Sequence, residues 1–378
     1  MNRMINLFKY IDTIFGTPIC YFFGLFNKKK DIPKSETHNI LIIKLMAMGD
    51  IVVFLPSIRA LRNRYPNAKI TFLTTPAMVP VLRHSPDLDE IIEFGIPRDV
   101  SPWGFWRFIN KLRKLKFDVA IDVEQYYRLT GLIIWLAGIP NRIGFDVSGQ
   151  GRNTMLTVGV KYNDTLHEVR NFGKLVEALG ADGPTETISP IFNPHPEEDI
   201  RYVKSILPEP NKTIAIHPGT SATAKSRRWA PENFAKVADA LANKGYKIVF
   251  TGAKEEEPII KKIMSYTHQD HTNLVGKTSL NQLLELFRQV RLIISLDTGP
   301  LHIAATTKTP VLGLYGANTP IKWGPYGEHN KAIYHGPFPP CTQQQYGRVC
   351  KHPEGYHMGD ITAQEVIETV QEMLKENS

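Results

Sequence analysis

The sequence predicts an α/β protein built from two doubly wound lobes. Short apolar runs alternate with amphipathic helical segments, a pattern typical of parallel sheets that are covered on both faces. This alternation starts near residue 39 and starts again near residue 213. A chain of 378 residues is also too long for one typical core. Two lobes therefore explain both the repeated pattern and the length.

The first lobe is predicted from a strand at Asn39–Lys44 and a helix from Asp50 to Arg64, which ends before Pro66. Further strands are predicted at Lys69–Thr74, Glu90–Phe94 and Asp118–Val123, and further helices at Trp103–Leu115 and His167–Leu179. The segment 188–211 contains five prolines and is predicted to be an interdomain linker.

The second lobe repeats the plan with a strand at Thr213–His217 and a helix at Pro231–Asn243. Its later strands are predicted at Lys247–Thr251, Arg291–Leu296 and Pro310–Leu314, and its later helices at Glu255–Ser265 and Ser279–Gln289. The resulting boundaries are 37–187 for the first lobe, 212–350 for the second, and 351–378 for a C-terminal segment whose helix packs back on the first lobe.

The N-terminal segment 1–36 is apolar up to Phe26 and is followed by Lys28, Lys29 and Lys30. It is too short and too interrupted to span a bilayer, which needs about 20 apolar residues, and it has no small-residue cleavage site. Two interpretations remain open. The helix lies on the cytoplasmic membrane surface, aided by the lysines, or it docks on the protein's own surface.

The net charge of +8 suits an anionic substrate, an anionic membrane or nucleic acid. Nucleic acid is disfavoured because the basic residues are dispersed and not clustered with aromatics. Three cysteines form no disulfide framework, which favours a reducing, cytoplasmic location. Cys341 and Cys350, with two nearby histidines, do not have a recognised zinc spacing.

Polar residues that could hold a diphosphate follow the strands of the second lobe. The stretch Leu292–His302 is an apolar run followed by a turn and a helix start, where backbone N–H groups favour anions. The candidates are Thr220, Ser221, Lys225, Arg227, Asp297, Thr298, Gly299 and His302. Two alternatives remain open: the stretch Leu292–His302 is an ordinary strand and capped helix, or the segment Lys225–Arg228 is a solvated basic loop. His217 is interpreted as a buried core histidine.

The first lobe offers a carboxylate, Asp50, on a glycine turn. It could act as a general base towards a bound hydroxyl, or it could simply cap the helix. The residues expected beside an acceptor are Lys44, Gly49, Glu124 and Gln125. If Asp50 is only a cap, Glu124 or Asp122 is the next candidate base.

Several chemistries are disfavoured by the sequence. There is no Gly-x-Gly-x-x-Gly turn and no Walker loop, which weighs against a dinucleotide oxidoreductase or an NTPase. The Asp-x-Asp spacing at Asp87-Leu88-Asp89 lies away from a clear strand end, which disfavours a metal-held sugar nucleotide. We therefore expect no metal and no cofactor.

Taken together, these stretches resemble glycosyltransferase family 9, the ADP-heptose:lipopolysaccharide heptosyltransferases. The similarity covers nearly the whole chain after residue 38. Its motifs are Ile40–Pro56, Arg142–Phe145, His217–Gly219, Asp297–Ala305 and Gly313–Gly316.

The resemblance implies a GT-B architecture, in which two Rossmann-like lobes face each other across a cleft, and inverting, metal-independent transfer. It implies that Asp50 is the base, that Glu256, or alternatively Glu255, contacts the ribose, and that the second lobe binds the donor. Arg227 stands where the family usually has a lysine, which keeps the charge but changes the geometry. Glu124–Tyr127 also departs from the family pattern, which leaves the acceptor open.

The predicted function is transfer of a heptose or a similar sugar from an ADP-sugar to a lipopolysaccharide-core or other saccharide acceptor. The ADP-sugar is then a substrate, and peripheral contact with the inner membrane is the matching localisation. Two alternatives stay open. One is a nucleotide-sugar epimerase on the same architecture, and the other is a non-catalytic nucleotide-sugar-binding protein.

Overall fold

The computed structural model describes residues 2–27, 37–83, 85–184, 196–221, 224–336 and 355–376. The chain divides into two compact units, Met1–Thr185 and Glu186–Ser378. The division falls at the start of the proline-rich region that the sequence predicts to be interdomain.

The first unit contains a six-stranded parallel sheet with the order β3-β2-β1-β4-β5-β6. Its strands are β1 Asn39–Ile43, β2 Lys69–Thr74, β3 Glu90–Glu93, β4 Val119–Asp122, β5 Asn141–Asp146 and β6 Val158–Lys161. Its helices are α1 Asn2–Gly24, α2 Met48–Arg64, α3 Val79–Leu82, α4 Pro102–Lys114, α5 Leu129–Leu136 and α6 Glu168–Glu177.

The second unit contains another six-stranded parallel sheet, with the order β12-β11-β10-β7-β8-β9. Its strands are β7 Thr213–His217, β8 Lys247–Phe250, β9 Thr272–Asn273, β10 Leu292–Leu296, β11 Val311–Tyr315 and β12 Lys331–Tyr334. Its helices are α7 Glu197–Ile206, α8 Pro231–Ala242, α9 Glu257–Met264, α10 Leu280–Gln289, α11 Gly299–Ala305, α12 Pro320–Trp323 and α13 Ala363–Glu376.

Both sheets have the same topology. Counted within each unit, the strand order is 3-2-1-4-5-6, and it reverses between β1 and β4 in the first unit and between β7 and β10 in the second. The central strands β4, β7, β10 and β11 are buried at every residue, because helices cover both faces of the sheet. The predicted α/β class with two doubly wound lobes is therefore confirmed.

Residues 196–211, the described part of the predicted linker 188–211, contain regular structure. They include α7, which packs on α10 of the second unit through Asp199 and Val203. The Oδ1 of Asp199 accepts a 2.9 Å hydrogen bond from Nε2 of Gln282, and the hydroxyl of Tyr202 donates to the carbonyl of Lys277 at 2.6 Å. This part of the segment belongs to the second unit because its amphipathic face is buried there.

The C-terminal helix α13 was predicted to pack back on the first lobe, and its buried face instead belongs to the core of the second unit. Val366, Val370 and Met373 are fully buried in the same cluster as Ile214 of β7. This helix packs against α8. The sequence shows that α13 is amphipathic, but an apolar stripe does not specify which surface covers it.

The N-terminal helix α1 docks on the first unit through one face. Cys20 is fully buried, the ring of Phe23 lies 4.7 Å from that of Trp135, and Asp12 pairs with Arg128 at 3.2 Å. Its other face is apolar and exposed, with Phe15 at 57% and Phe22 at 58% exposure. One face of α1 therefore packs on the first unit, while the other face is apolar and accessible.

A buried ion pair lies at the carboxyl end of β4. The Nη2 of Arg152 contacts Oδ2 of Asp122 at 2.6 Å, and these side chains are 1% and 0% exposed. Burial raises the pKa of Asp122, and the charge of Arg152 opposes that effect. Arg152 also donates from Nη1 to the carbonyl of Glu124. The pair therefore connects β4 to the 3₁₀ helix Arg152–Thr154.

Replacing Arg152 by alanine should lower the free energy of unfolding by roughly 3–5 kcal/mol, because Asp122 would remain as an uncompensated buried charge. The matched control is Arg201→Ala, since the Arg201–Glu197 pair spans 4.0 Å and is 74% and 89% exposed. That control should change stability by less than about 0.5 kcal/mol. Urea unfolding of both variants measures the difference, and equal losses would contradict the role of the buried pair.

Candidate active site

In the first unit the predicted acceptor-side residues converge on one buried cation. The Nζ of Lys44 lies 2.7 Å from Oδ2 of Asp50, 3.2 Å from Oε2 of Glu124 and 2.7 Å from Oε1 of Gln125. Lys44 is 1% exposed, while the Asp50 side chain is 13% exposed. This ionic cluster, made of Lys44, Asp50, Glu124 and Gln125, leaves Asp50 as the carboxylate closest to solvent.

The strand order explains why these residues meet. Lys44 follows β1, and Glu124 and Gln125 follow β4, its neighbour across the point where the order reverses. Asp50 comes from the first turn of α2 and lies beside Gly49. Side chains that follow adjacent parallel strands reach the same edge of the sheet.

Asp50 does not occupy the N-cap position of α2; it is the third residue of the helix, within its first turn. The helix begins at Met48, and the N-cap position is held by Ala47, which makes no side-chain capping hydrogen bond. Ala47 has φ 73° and ψ 100°, a left-handed conformation that non-glycine residues rarely adopt. This tight turn starts the helix before Asp50 and leaves its carboxylate beside Lys44.

The charges of the cluster favour a protonated lysine. Burial alone would lower the pKa of Lys44, but the carboxylates of Asp50 and Glu124 outweigh burial and hold that pKa above its ordinary value. Glu124 is fixed further, because its Oε1 accepts a 2.9 Å hydrogen bond from the backbone N–H of Tyr126. The cluster is thus a rigid support with one partly accessible carboxylate.

In the second unit an arginine connects the predicted donor residues. The Nη1 of Arg227 lies 3.1 Å from both Oδ2 and the backbone oxygen of Asp297, which follows β10. The same Oδ2 accepts a 2.6 Å hydrogen bond from Nδ2 of Asn318, in the loop after β11. Arg227 stays 33% exposed while Asp297 is nearly buried, so the guanidinium remains accessible beside this strand end.

A second group forms at the ends of β7 and β8. The Nδ1 of His217 lies 3.0 Å from Oγ1 of Thr251, and its Nε2 lies 3.9 Å from Oε2 of Glu256. Burial lowers the pKa of His217 to about 4 and raises the pKa of Glu256. A Cβ at Gly219 would lie 2.0 Å from Oε1 of Glu256, so a larger residue there would displace the Glu256 carboxylate. His217 is therefore a neutral buried histidine, as the sequence indicates.

Three further residues predicted to bind the donor are described by their burial and their local contacts. Thr220 is nearly buried, and its hydroxyl accepts a 3.1 Å hydrogen bond from Nε of Arg228. Thr298 is the N-cap of α11, and its hydroxyl donates to the carbonyl of Leu296 at 3.3 Å. His302 is buried, with its ring 6.0 Å from that of Trp323.

The last three residues predicted to bind the donor lie on the loop after β7 and at the start of α11. Ser221 is exposed, and Gly299 opens α11, the helix that follows β10. Lys225 begins a 3₁₀ helix, and its side chain lies outside the described residues. The structure therefore brings together Arg227 and Asp297, and separately His217 and Glu256.

Three members of these sites were not predicted from the sequence, namely Arg152, Thr251 and Asn318. Thr251 and Asn318 follow β8 and β11, and searching the ends of all strands would have found them. No spacing rule connects Arg152 to Asp122, because the pair is 30 residues apart in the chain.

Among the described residues, no set of three or more histidine, cysteine, aspartate or glutamate side chains is arranged to hold a metal ion. Asp87 and Asp89 pair with Arg59 and Arg62 at 2.7 and 2.5 Å. Cys341 and Cys350 lie outside the described residues. None of the described helices is long and apolar enough to cross a membrane.

Two solved glycosyltransferase structures share the fold of this chain. A family 9 glycosyltransferase from Veillonella parvula superposes with a TM-score of 0.75 at 21% identity, over 92% of this chain and 100% of that one. The Escherichia coli ADP-heptose LPS heptosyltransferase II superposes with a TM-score of 0.69 at 24% identity, over 90% and 99%. These similarities establish the fold.

Sequence comparison establishes the family. A sequence model of glycosyltransferase family 9 (heptosyltransferase) matches residues 105–352, and the chain belongs to that family. A lipopolysaccharide core heptosyltransferase of Haemophilus influenzae is 26% identical over 84% of this chain and 88% of its own length. Lipopolysaccharide heptosyltransferase 2 of Escherichia coli is 25% identical over 89% and 98%. The protein is therefore a glycosyltransferase.

The buried histidine predicts a pH dependence of stability. Because the pKa of His217 falls from 6.5 to about 4 on folding, the unfolded chain binds the proton more tightly between those pH values. Acidification through this window should therefore destabilise the wild type by up to about 1.4 kcal/mol per pH unit more than His217→Gln. Urea unfolding between pH 7 and pH 4 measures this slope. His38→Gln, at an exposed position, is the control, and parallel curves for wild type and His217→Gln would contradict a neutral buried histidine.

Proposed function

We propose that this enzyme transfers a heptose from ADP-heptose to a saccharide of the lipopolysaccharide core, with inversion at the anomeric carbon and without a metal. The curated relatives are named as lipopolysaccharide heptosyltransferases, and they align over most of their own length. The observation that carries the mechanism is the ionic cluster, which holds one carboxylate partly accessible at the strand-order reversal of the first unit.

The donor is proposed to bind the second unit at the strand ends of β7 and β10. A related Escherichia coli heptosyltransferase has been solved with ADP. Arg227 offers a planar guanidinium that suits two phosphate oxygens at once. Thr220, Ser221, Thr298 and Gly299 would add hydroxyl and backbone donors around the diphosphate. Lys225 is the proposed second cation, and Glu256 is the proposed ribose contact.

The acceptor hydroxyl is proposed to lose its proton to Asp50. In an inverting transfer the hydroxyl oxygen forms a bond to the anomeric carbon as the carbon–diphosphate bond breaks on the opposite face. The hydroxyl proton moves to the Asp50 carboxylate, and the bonding electrons leave with the diphosphate. Lys44 acts as a positioning residue, because its ammonium group holds Asp50 at 2.7 Å.

The alternative bases differ in how well they suit this role. Asp122 is fully buried and paired with Arg152, so a substrate hydroxyl would have to displace a buried ion pair. Glu124 is 3% exposed and is bonded to Lys44 and to the backbone of Tyr126. The greater exposure of Asp50 therefore favours it, and Glu124 is the next candidate.

Negative charge that develops on the diphosphate is proposed to be met by Arg227 and Lys225. Both cations act where the charge forms, so a divalent metal is not needed for this step. Turnover of ADP-heptose with core acceptors tests the function directly, and activity should be unchanged in EDTA. Release of free sugar without acceptor would favour an epimerase, and donor binding with no turnover would favour a non-catalytic binding protein.

Replacing Asp50 by asparagine should lower kcat by roughly 10²-fold or more, the usual scale for loss of a general base, with little change in the KM for the donor. Asp182→Asn, at an exposed position of the same unit, is the matched control. Steady-state kinetics at saturating acceptor measures both constants. Near-full activity of Asp50→Asn would remove Asp50 as the base and make Glu124 the next residue to test.

We also propose that α1 attaches the enzyme to the cytoplasmic face of the inner membrane. Phe15, Ile19, Phe22 and Phe26 follow one helical stripe, and they are 57%, 37%, 58% and 63% exposed. An exposed apolar stripe on a docked helix is typical of interfacial membrane contact.

The double substitution Phe22→Asp and Phe26→Asp should lower binding to vesicles by at least about tenfold, because it places two charges in the apolar stripe. Deleting α1 is a poorer test, since it would also uncover the surface under Cys20. Co-sedimentation with vesicles that contain 30% phosphatidylglycerol, on the order of a physiological anionic content, measures binding. Ile321→Asp, at a 47% exposed position of the second unit, is the control. Equal binding of the double variant and wild type would contradict the attachment.

A further inference from the structure

An apolar cavity of about 240 Å³ lies in the first unit beside α1. It is larger than the roughly 150 Å³ apolar cavity that accommodates a benzene ring in an engineered protein. Its apolar walls come from α1, from the loop after β1 and from the segment that leads into α4. The main lining residues are Phe15, Ile19, Leu45, Met46, Val100 and Phe105.

Two of the residues that line the cavity are themselves exposed on α1. Phe15 and Ile19 line the cavity and also belong to the exposed stripe of that helix, at 57% and 37% exposure. The charged residues Asp12 and Arg128 line it too, but they pair with each other at 3.2 Å. Asp12 also accepts hydrogen bonds from the backbone N–H groups of Arg128 and Leu129 at 2.8 and 3.1 Å. These contacts hold α1 against the first unit, where the helix forms one wall of the cavity.

The cavity shares a residue with the ionic cluster. Glu124 lines the cavity, and its Oε2 lies 3.2 Å from Nζ of Lys44, which in turn lies 2.7 Å from Asp50. A ligand with an apolar chain in the cavity would therefore have its polar end next to the proposed base. This combination suits an amphiphile and suits a purely polar saccharide poorly.

The surface next to the cavity has the composition of a membrane interface. Trp103 and Trp106, on either side of Phe105, are 68% and 56% exposed, and their rings stack with centroids 5.0 Å apart. The exposed side of α4 continues with Arg107, Lys111 and Lys114. Exposed tryptophans beside basic residues are typical of segments that contact anionic lipid surfaces. This composition argues for a chain supplied by a membrane lipid and not by a free fatty acid.

We infer that the cavity binds one aliphatic chain of a lipid-linked acceptor, whose saccharide then meets Asp50. This inference rests on the proposed function and specifies its acceptor as the lipid-anchored form. Each buried methylene should contribute about fourfold in affinity, so a chain that enters the cavity has a measurable effect.

The test compares Ile19→Trp, which fills the cavity, with Ile14→Trp as a matched control. Both positions lie on α1 and have similar exposure, 37% and 44%, but only Ile19 lines the cavity. Val100→Trp, at a lining residue outside α1, is a second filling variant in case the first variant does not fold. Titration calorimetry with decanoate measures chain binding, and kcat/KM on acylated and deacylated acceptors measures its use.

We expect Ile19→Trp to weaken decanoate binding at least tenfold and to reduce the preference for the acylated acceptor by a similar factor. Ile14→Trp should match the wild type in both assays. Equal decanoate binding by Ile19→Trp, Val100→Trp and wild type would overturn the cavity as a chain site. Weakened decanoate binding with an unchanged acceptor preference would overturn the assignment to the acceptor. If the wild-type enzyme transfers heptose to neither the acylated nor the deacylated acceptor, the proposed function is rejected. The decanoate titration would still decide whether the cavity binds a chain.

Discussion

The reversal of strand order within each parallel sheet is the constraint on which both candidate sites depend. At this point the connections from adjacent strands leave to opposite faces of the sheet, so the residues that follow those strands are not covered by one crossing helix. Lys44 and Glu124 meet at the reversal of the first sheet. At the reversal of the second sheet, His217 is the last residue of β7 and Asp297 follows β10. Because these polar groups are nearly buried, each must find a partner, and the resulting ion pairs and hydrogen bonds fix the geometry of both sites.

The two units use the same topology for different chemistry. In the first, a fully buried ammonium group supports carboxylates, of which Asp50 is the most accessible. In the second, the partly exposed guanidinium of Arg227 is held by a buried carboxylate, Asp297, so a cation faces outward. A supported carboxylate suits proton removal, whereas a supported cation suits phosphate binding.

Much of the fold follows from local patterns in the sequence. β2 and β7 have the predicted bounds, and α8 differs by one residue, because buried strands and capped helices leave strong periodic signals. The sequence predicted that Asp50, Lys44, Glu124 and Gln125 lie at one sheet edge, since strand ends are local features. It did not predict that Arg152 pairs with Asp122 or that Asn318 donates a hydrogen bond to Asp297. Such pairs form between segments that are distant in the chain. The sequence prediction also assigned α13 to the wrong core, because amphipathicity does not specify a partner surface.

In the proposed function, the second unit recognises the ADP portion of the donor, and Arg227 contacts its phosphates. The most direct measurement is the thermal stabilisation of wild type and Arg227→Ala by ADP, UDP, GDP and CMP, because a ligand that binds the folded state raises the melting temperature according to its affinity. We expect ADP to give the largest shift with wild type and a much smaller shift with Arg227→Ala. A clear preference for UDP, GDP or CMP would contradict the ADP-heptose assignment, and equal ADP shifts in both proteins would contradict the role of Arg227.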